Sequence, residues 1–400
     1  MEVSTFYKNS ELAEEFSVSS MTISRYIDSA KSGLNDLELY HHGNDYKIRK
    51  TELNHQIIKM LVGDKSKFKN PTRFKSIKPK PDFYTKYTIN NQLEIIRELK
   101  NTKMINSKFA YLGSNIDNYS QYQQSRKKNI IRAEILNNNL PFFINYAIKN
   151  GIKYNLIELG SMDLISSKTF IEELASQNLI ESFLSLDISE SLLSLNKKVF
   201  KSYFPNINYN SEVVDIEQED LYEHILENKY SSKDSTKTIN LFLLIGSTSA
   251  NFIIPNRVYR NISDALQGGD FFVLDLIKDY PEIEKNKIYE VDSLFYKFII
   301  TPLQDLGFSD EDIILRSVYD KKNNLRNVVA VMNDNLNLKF ANVQEPLELK
   351  KGSEITLSIN RISNQEEMSR IVHYDFDLIN MNTSVSLDYI NCVFKKITQE

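Results

Sequence analysis

The sequence predicts an α/β chain. An open, mainly parallel sheet with helices on its faces is preceded by a small helical front domain and followed by a β-rich region. Three observations predict this. Between about 150 and 280, short apolar runs alternate with amphipathic segments, and each run ends at Gly, Asp or a small polar residue, as strands buried on both faces do. Residues 9–62 read instead as short helices around a hairpin, and beyond 310 the texture turns to strand-like pairs. The length of 400 residues exceeds the ~100–200 of one domain, so two or three units are expected.

Taken in order, Ser10 can cap a helix from Glu11 that carries Leu12, Ala13 and Phe16 on one face. Val18-Ser19-Ser20 makes a turn, and Thr22 to Ala30 forms a second helix with Ile23 and Ile27 one turn apart. Leu37 to Tyr40 and Tyr46 to Arg49 alternate as a hairpin about His42-Gly43-Asn44-Asp45, and a third helix completes a unit over 1–62. Residues 63–87, with Pro71, Pro79 and Pro81 and little periodicity, read as a basic tether. The body is 88–400. It opens with helices (Leu93, Ile96, Leu99; Ile130, Ile131, Ile135), and apolar runs follow at 155–159, 183–186, 212–214, 241–245 and 271–274. The later pairs are 313–318, 327–332, 336–340 and 354–359.

Composition narrows the function classes. With 41% apolar and 26% charged residues the chain has material for a core and is not wholly disordered. The single Cys392 permits no intrachain disulfide and no cysteine-based metal site. No apolar stretch reaches the ~18–20 residues of a membrane span and no signal-peptide pattern follows Met1, so a cytoplasmic protein without membrane contact is expected. The net charge of −4 is uneven: residues 1–87 hold 15 Lys/Arg against 11 Asp/Glu, a net +4, which leaves −8 for the rest. Eight basic residues lie within 65–86 beside one acid, Asp82. A basic front on an acidic body suggests two jobs, the first a contact with nucleic acid, unless the basic stretch is only a solvated linker.

The run Glu11-Leu12-Ala13, Phe16, Val18-Ser19, Thr22-Ile23-Ser24-Arg25-Tyr26-Ile27 resembles the helix–turn–helix of bacterial DNA-binding proteins. Ser20, Thr22, Ser24 and Arg25 would face a major groove, and the hairpin with Lys47, Arg49 and Lys50 would be a wing touching phosphates of duplex DNA. Ser17 stands where that turn usually carries Gly in a left-handed conformation. The alternative is a packing module that touches only protein. His41, His42 and His55 fit a solvated surface better than a metal site, because neighbouring strand residues face opposite ways.

Within the sheet, Asn155-Leu156-Ile157-Glu158-Leu159-Gly160-Ser161 is a strand ending in a Gly-containing turn, the place where a Rossmann-like sheet receives a nucleotide cofactor. The dinucleotide pattern Gly-x-Gly-x-x-Gly is absent, which argues against NAD and allows S-adenosyl-L-methionine. Asp187, 27 residues after Gly160, is placed at the end of the second strand to take ribose hydroxyls. Asp215, after the third, is placed to meet the adenine.

Here the chain resembles the histidine-specific, S-adenosylmethionine-dependent methyltransferases, over roughly residues 110–362. The most specific run is Gly246-Ser247-Thr248-Ser249-Ala250-Asn251-Phe252; Glu158 to Ser161 with Ser167-Lys168-Thr169, then Asp187-Ile188-Ser189, Gly269-Asp270 and Asp275 to Asp279 follow in the family's order. The resemblance implies a methyltransferase sheet with a β-rich substrate region. It implies that Gly160, Ser161 and Lys168 hold the methionine end of the cofactor, Asp187 the ribose, Asp215 the adenine, and Gly246 the backbone near the sulfonium. Asn251 would hold a substrate amino group, and Tyr122 and Tyr289 match the substrate tyrosines loosely, Tyr289 with a catalytic part in orienting the amine. Asp275 and Asp279 would shape the loop after the fifth strand rather than bind metal. The family's imidazole-binding Glu-Ile-Ser triplet is replaced by Ser358-Ile359-Asn360, so its carboxylate is missing, with Glu354 the nearby acid. Met162-Asp163-Leu164-Ile165 replaces a shorter loop with a second glycine.

The leading reading is an S-adenosylmethionine-dependent N-methyltransferase acting on a small, amino-acid-like amine and joined to a DNA-binding front. The alternative is a DNA-binding regulator whose degenerate methyltransferase domain senses a small molecule. A nucleic-acid methyltransferase is a weaker third, because no Asn/Asp-Pro-Pro-Tyr motif occurs.

Overall fold

The computed structural model describes residues 6–32, 37–42, 45–63, 74–112, 115–125, 128–160, 164–229, 237–246, 248–278, 288–291, 293–341, 343, 345–363, 370–385 and 389–398. It comprises two compact units, Met1–Arg73 and Phe74–Glu400.

In the first unit, helices Asn9–Glu15 and Ser20–Lys31 are joined by a turn in which Ser17 takes φ +52°, the left-handed conformation expected there. Ser19 caps the second helix, its Oγ accepting the Thr22 N–H at 3.2 Å. Strands Leu39–His42 and Asp45–Ile48 pair antiparallel, and helix Glu52–Gly63 follows. Leu12, Ile23, Ile27, Ile48 and Ile58 form the core. Asn54 fixes the third helix to the hairpin: its amide oxygen accepts the Glu38 N–H (2.9 Å) and its NH2 donates to the Glu38 and Arg49 carbonyls (both 3.1 Å).

The second unit is built on a seven-stranded sheet: β1 (Ile152–Leu159), β2 (Ile180–Asp187), β3 (Asn208–Val213), β4 (Lys237–Leu244), β5 (Phe271–Ile277), β6 (Phe376–Thr383) and β7 (Tyr389–Lys396). The order is β6-β7-β5-β4-β1-β2-β3, with β1 to β5 parallel and β7 antiparallel to both neighbours. Alternate residues of the central strands divide between two cores. Phe242, Leu244, Phe272 and Leu274 lie in one, and Leu241, Leu243, Phe271 and Val273 in the other. Burial on both faces is why these strands read as unbroken apolar runs.

The β-rich region is present, inserted between β5 and β6. Its main sheet has the order 354–361, 325–332, 313–320, all antiparallel. The chain then returns to the central sheet through β6 and β7, two strands that sequence patterning did not distinguish. No helix among the described residues is long and apolar enough to cross a membrane.

The tether expected over 63–87 needs correction. Its second half belongs to the body. Lys75–Ile77 pairs parallel with Leu336–Leu338, and Phe83, on helix Pro81–Lys86, and Tyr87 are buried in the core of the β-rich region. The basic residues read as tether charges answer distant acids: Lys75 Nζ meets Asp312 at 2.6 Å and Lys86 Nζ meets Asp305 at 2.8 Å. Pairs more than 200 residues apart leave no trace in local sequence. Residues 64–73 lie outside the described residues.

Asp275 on β5 is fully buried. It accepts hydrogen bonds from the Gly246 N–H (2.9 Å) and Asn391 Nδ2 on β7 (2.7 Å). Arg132, also fully buried, adds its charge and stacks its guanidinium 4.6 Å from the Tyr389 ring. Burial pushes the Asp275 carboxyl above the usual carboxylate range against the pull of these partners. Arg132→Leu should strand a buried charge and cost about 3–5 kcal/mol in denaturant unfolding. A raised native pKa means that the folded chain holds a proton the unfolded chain releases, so stability falls as pH rises through that pKa. The variant's loss should therefore shrink as pH falls toward the ordinary carboxylate range and grow as pH rises; a loss independent of pH across the whole folded range would show that Arg132 does not act on Asp275.

Candidate active site

Where β1, β2 and β3 end, the sheet opens onto a cleft of about 670 Å³. The strand order reverses between β4 and β1, and there the following chains diverge and leave a crevice beyond the strand ends. Gly160 leaves β1 at φ +68°, and a β-carbon there would stand 2.6 Å from the Thr248 side chain. Only glycine fits both demands. Asp187 ends β2, its Oδ1 accepting the Ser189 N–H at 2.8 Å. Asp215 follows β3 by two residues, and Asn251 ends the 3-10 turn Thr248–Asn251. Gly160, Asp187, Asp215 and Asn251 all line this cleft.

The facing wall was missed in the sequence. Asn106, Ser107, Lys108 and Tyr111, on and beside the 3-10 segment Ser107–Tyr111, line it with Tyr119. Lys108 Nζ sits between Glu94 Oε1 (2.8 Å) and Asp215 Oδ2 (2.9 Å). Burial opposes its charge, but the two carboxylates outweigh that and hold the ammonium above the ordinary lysine value. Glu217 braces the cleft from below: its Oε1 accepts the Ile253 N–H at 2.7 Å, just past Asn251. Burial pushes the Glu217 carboxyl up.

Other expected residues lie elsewhere. Lys168 is not brought into the cleft; at the first position of helix Lys168–Ser176 it reaches Glu172 one turn on (3.5 Å) and stands 3.6 Å over the Tyr203 ring. Gly246 does not line the cleft, and its N–H is committed to Asp275. Asp275 lies inside β5 and holds the Gly246 turn rather than shaping the loop beyond, since its own carbonyl accepts Ser249 Oγ at 2.6 Å. Ser161 and Asp279 lie outside the described residues.

Tyr122 and Tyr289 both pack against the Phe295 ring, with centroids 5.2 and 4.8 Å away. Ser358 and Asn360 share a strand, with Asn360 Nδ2 donating to Ser358 Oγ at 3.2 Å. That strand packs against the turn bearing Asn251. Glu354 is engaged by Arg316 and does not stand in for the missing carboxylate.

In the first unit, Arg25, Lys47 and Arg49 are exposed. Thr22 and Ser24 are occupied: Thr22 Oγ1 lies 2.9 Å from Ser19 Oγ, and Ser24 Oγ accepts from Asn9 Nδ2 (3.3 Å) and donates to the Ser20 carbonyl (3.1 Å).

Residues 91–375 match the family model of the histidine-specific methyltransferases, SAM-dependent. The chain belongs to that family. It is an S-adenosylmethionine-dependent methyltransferase, and the cleft fits the cofactor: a backbone cradle that any β-carbon would fill, then one acid after each of the next two strands. No curated protein matches the chain. Among solved structures, Streptomyces venezuelae DesVI is 10% identical, over 72% of this chain and 99% of its own, with a TM-score of 0.39. The Burkholderia thailandensis 1,6-didemethyltoxoflavin-N1-methyltransferase is 9% identical, over 70% of this chain and 86% of its own, with a TM-score of 0.36.

Gly160→Ala should force Thr248 aside and weaken S-adenosylhomocysteine binding in calorimetry. Asp187→Ala should weaken it by about 10–150-fold through loss of charge-assisted hydrogen bonds. Unchanged affinity in both variants would place the cofactor elsewhere.

Proposed function

We propose that the chain methylates the nitrogen of a small amine, and that the first unit binds duplex DNA. The observation carrying the first part is that Asn251 lines the same cleft as Gly160, Asp187 and Asp215. S-adenosylmethionine supplies an electrophilic methyl group on a sulfonium. What remains for the chain is to present an unprotonated amine in line with it and to keep water out. The Asn251 carboxamide oxygen can accept an amine N–H and aim the nitrogen lone pair, and Tyr289 offers a hydroxyl in the adjoining region. Glu217, gripping the backbone beyond Asn251, and Asp275, gripping Ser249, hold the turn in place.

The missing carboxylate argues for an acceptor other than free histidine. A neutral Ser358 or Asn360 cannot form the charge-assisted bond a glutamate makes to an imidazole, a deficit of about 1.5–3 kcal/mol. A methylation assay with histidine beside a panel of amino acids and amines should show a better acceptor than histidine. Trimethylation of free histidine with a Michaelis constant within the usual ~1 μM–1 mM would refute this.

For DNA binding, support comes from the exposure of Arg25 on the second helix and of Lys47 and Arg49 on the hairpin. Binding by the full chain should fall steeply between ~50 and ~200 mM salt. Arg25→Ala should weaken preferred sites more than random DNA, whereas Lys47→Ala and Arg49→Ala should weaken both alike. A gel shift absent with random and genomic pools alike would favour protein docking.

A further inference from the structure

We propose that the acceptor is an amino-acid-like amine carrying a side-chain carboxylate, and that Arg326 holds that carboxylate; the proposal rests on the methyl-transfer reading above. Arg326 lies on strand 325–332, directly opposite Asn360 and Tyr319. Cross-strand partners share a face, so its side chain stands with Asn360, and Ser358 lies one pair along on the same face. One terminal nitrogen of Arg326 donates to the Tyr289 hydroxyl at 3.2 Å. Its Nε is buried and has no hydrogen-bond partner among the described residues. No acid pairs with it there either, and the nearest acid of the strand, Glu354, belongs to Arg316 on the other face.

A half-buried guanidinium without a carboxylate is an incomplete site, since a buried charge is stable only when paired and hydrogen-bonded. Its planar fork matches a carboxylate, and the Asn360 amide and Ser358 hydroxyl add neutral donors beside it. No second cation stands on that face among the described residues, so a single negative charge is matched better than a phosphate dianion.

The strand bearing Asn360 and Ser358 packs against the turn that carries Asn251, and packed aromatic rings run from the cleft wall to Tyr289. Tyr111, in the cleft wall, meets Phe298 at 5.1 Å. Tyr122 stacks on Phe298 at 6.1 Å and meets Phe295, which in turn meets Tyr289. A molecule with its amine at Asn251 and its carboxylate at Arg326 would span these two regions. Where the resembled family places a negative charge to receive an imidazole, this chain therefore presents a positive one.

The test is calorimetry on the full chain, with and without S-adenosylhomocysteine, using aspartate, glutamate and glutarate beside asparagine, glutamine and histidine. At least one acid should bind about 10–150-fold more tightly than its amide counterpart. Arg326→Gln should abolish that preference, and Arg326→Lys should retain part of it. Asn360→Asp, which sets a carboxylate opposite Arg326, should abolish it without truncating the arginine. Equal affinities for acids and amides, or no acid binding below roughly 10 mM, would overturn the proposal. So would phosphoserine binding more tightly than every carboxylate. If the acid preference appears while S-adenosylhomocysteine fails to bind, the anion site stands and the methyl-transfer reading falls.

Discussion

The candidate active site depends on one buried carboxylate. Asp275 lies in the middle of β5 but ties together parts that the chain supplies from four places: the turn after β4, the helix bearing Arg132, the strand β7 and the 3-10 turn ending in Asn251. From Asn391 an amide chain continues outward. Asn139 donates to Asn391 Oδ1 at 2.6 Å and accepts from Asn380 and Asn382 of β6 at 2.8 and 2.7 Å. Through these bonds the last two strands, more than a hundred residues downstream, are registered against the turn that carries Asn251. A network of this kind stabilises only if every member is satisfied, because an unpaired polar group in the interior costs more than the bond returns. Its value here is geometric. It fixes the Gly246 turn and the Asn251 turn relative to the sheet.

Lys108 plays the corresponding part on the facing wall. Asp215 lines the cleft with Asp187, and its Oδ2 is bonded to an ammonium that Glu94 also holds. An adenine amino group placed at Asp215 would then meet a carboxylate whose charge is already shared. The acid would act there as a positioned hydrogen-bond acceptor more than as a free negative charge. The arrangement also anchors the segment 107–111, and with it Tyr111, over the cleft.

What the sequence shows follows from how local each signal is. The strands β1 to β5 are legible because burial on both faces makes them apolar runs, and Gly160, Asp187 and Asp215 are legible because topology places strand ends at one edge. β6 was hidden: as an edge strand it exposes Leu378, Ile379 and Met381, so its pattern is neither a buried run nor a clean alternation. Lys108 and Arg326 were hidden for another reason. Each is an ordinary basic residue in its own segment and takes its meaning from partners 107 residues away (Asp215) and 37 residues away (Tyr289). Lys168 misled in the opposite sense. Its place in the motif is right, but a glutamate one turn on and an aromatic ring offer it nearer partners than the cleft does.

The same reassignment changes the electrostatics of the first unit. Counted to residue 87, the front of the chain carries a net +4; counted to the boundary at Arg73, it carries 11 Lys/Arg against 10 Asp/Glu, a net +1. The difference lies in Lys75, Lys78, Lys80 and Lys86 against the one acid Asp82, and Lys75 and Lys86 are consumed by Asp312 and Asp305. A diffuse positive field would therefore not be what draws this unit to DNA. What counts is how many phosphates individual side chains neutralise, since each released counterion enters the salt dependence separately whatever the net charge of the unit. Lys50 is already drawn to Glu11 at 3.5 Å, which leaves Lys47 and Arg49 as the exposed hairpin cations. Recognition by this unit would thus rest on a few placed charges around the second helix. That is the regime in which sequence preference, rather than bulk affinity, separates a DNA reader from a protein-docking module.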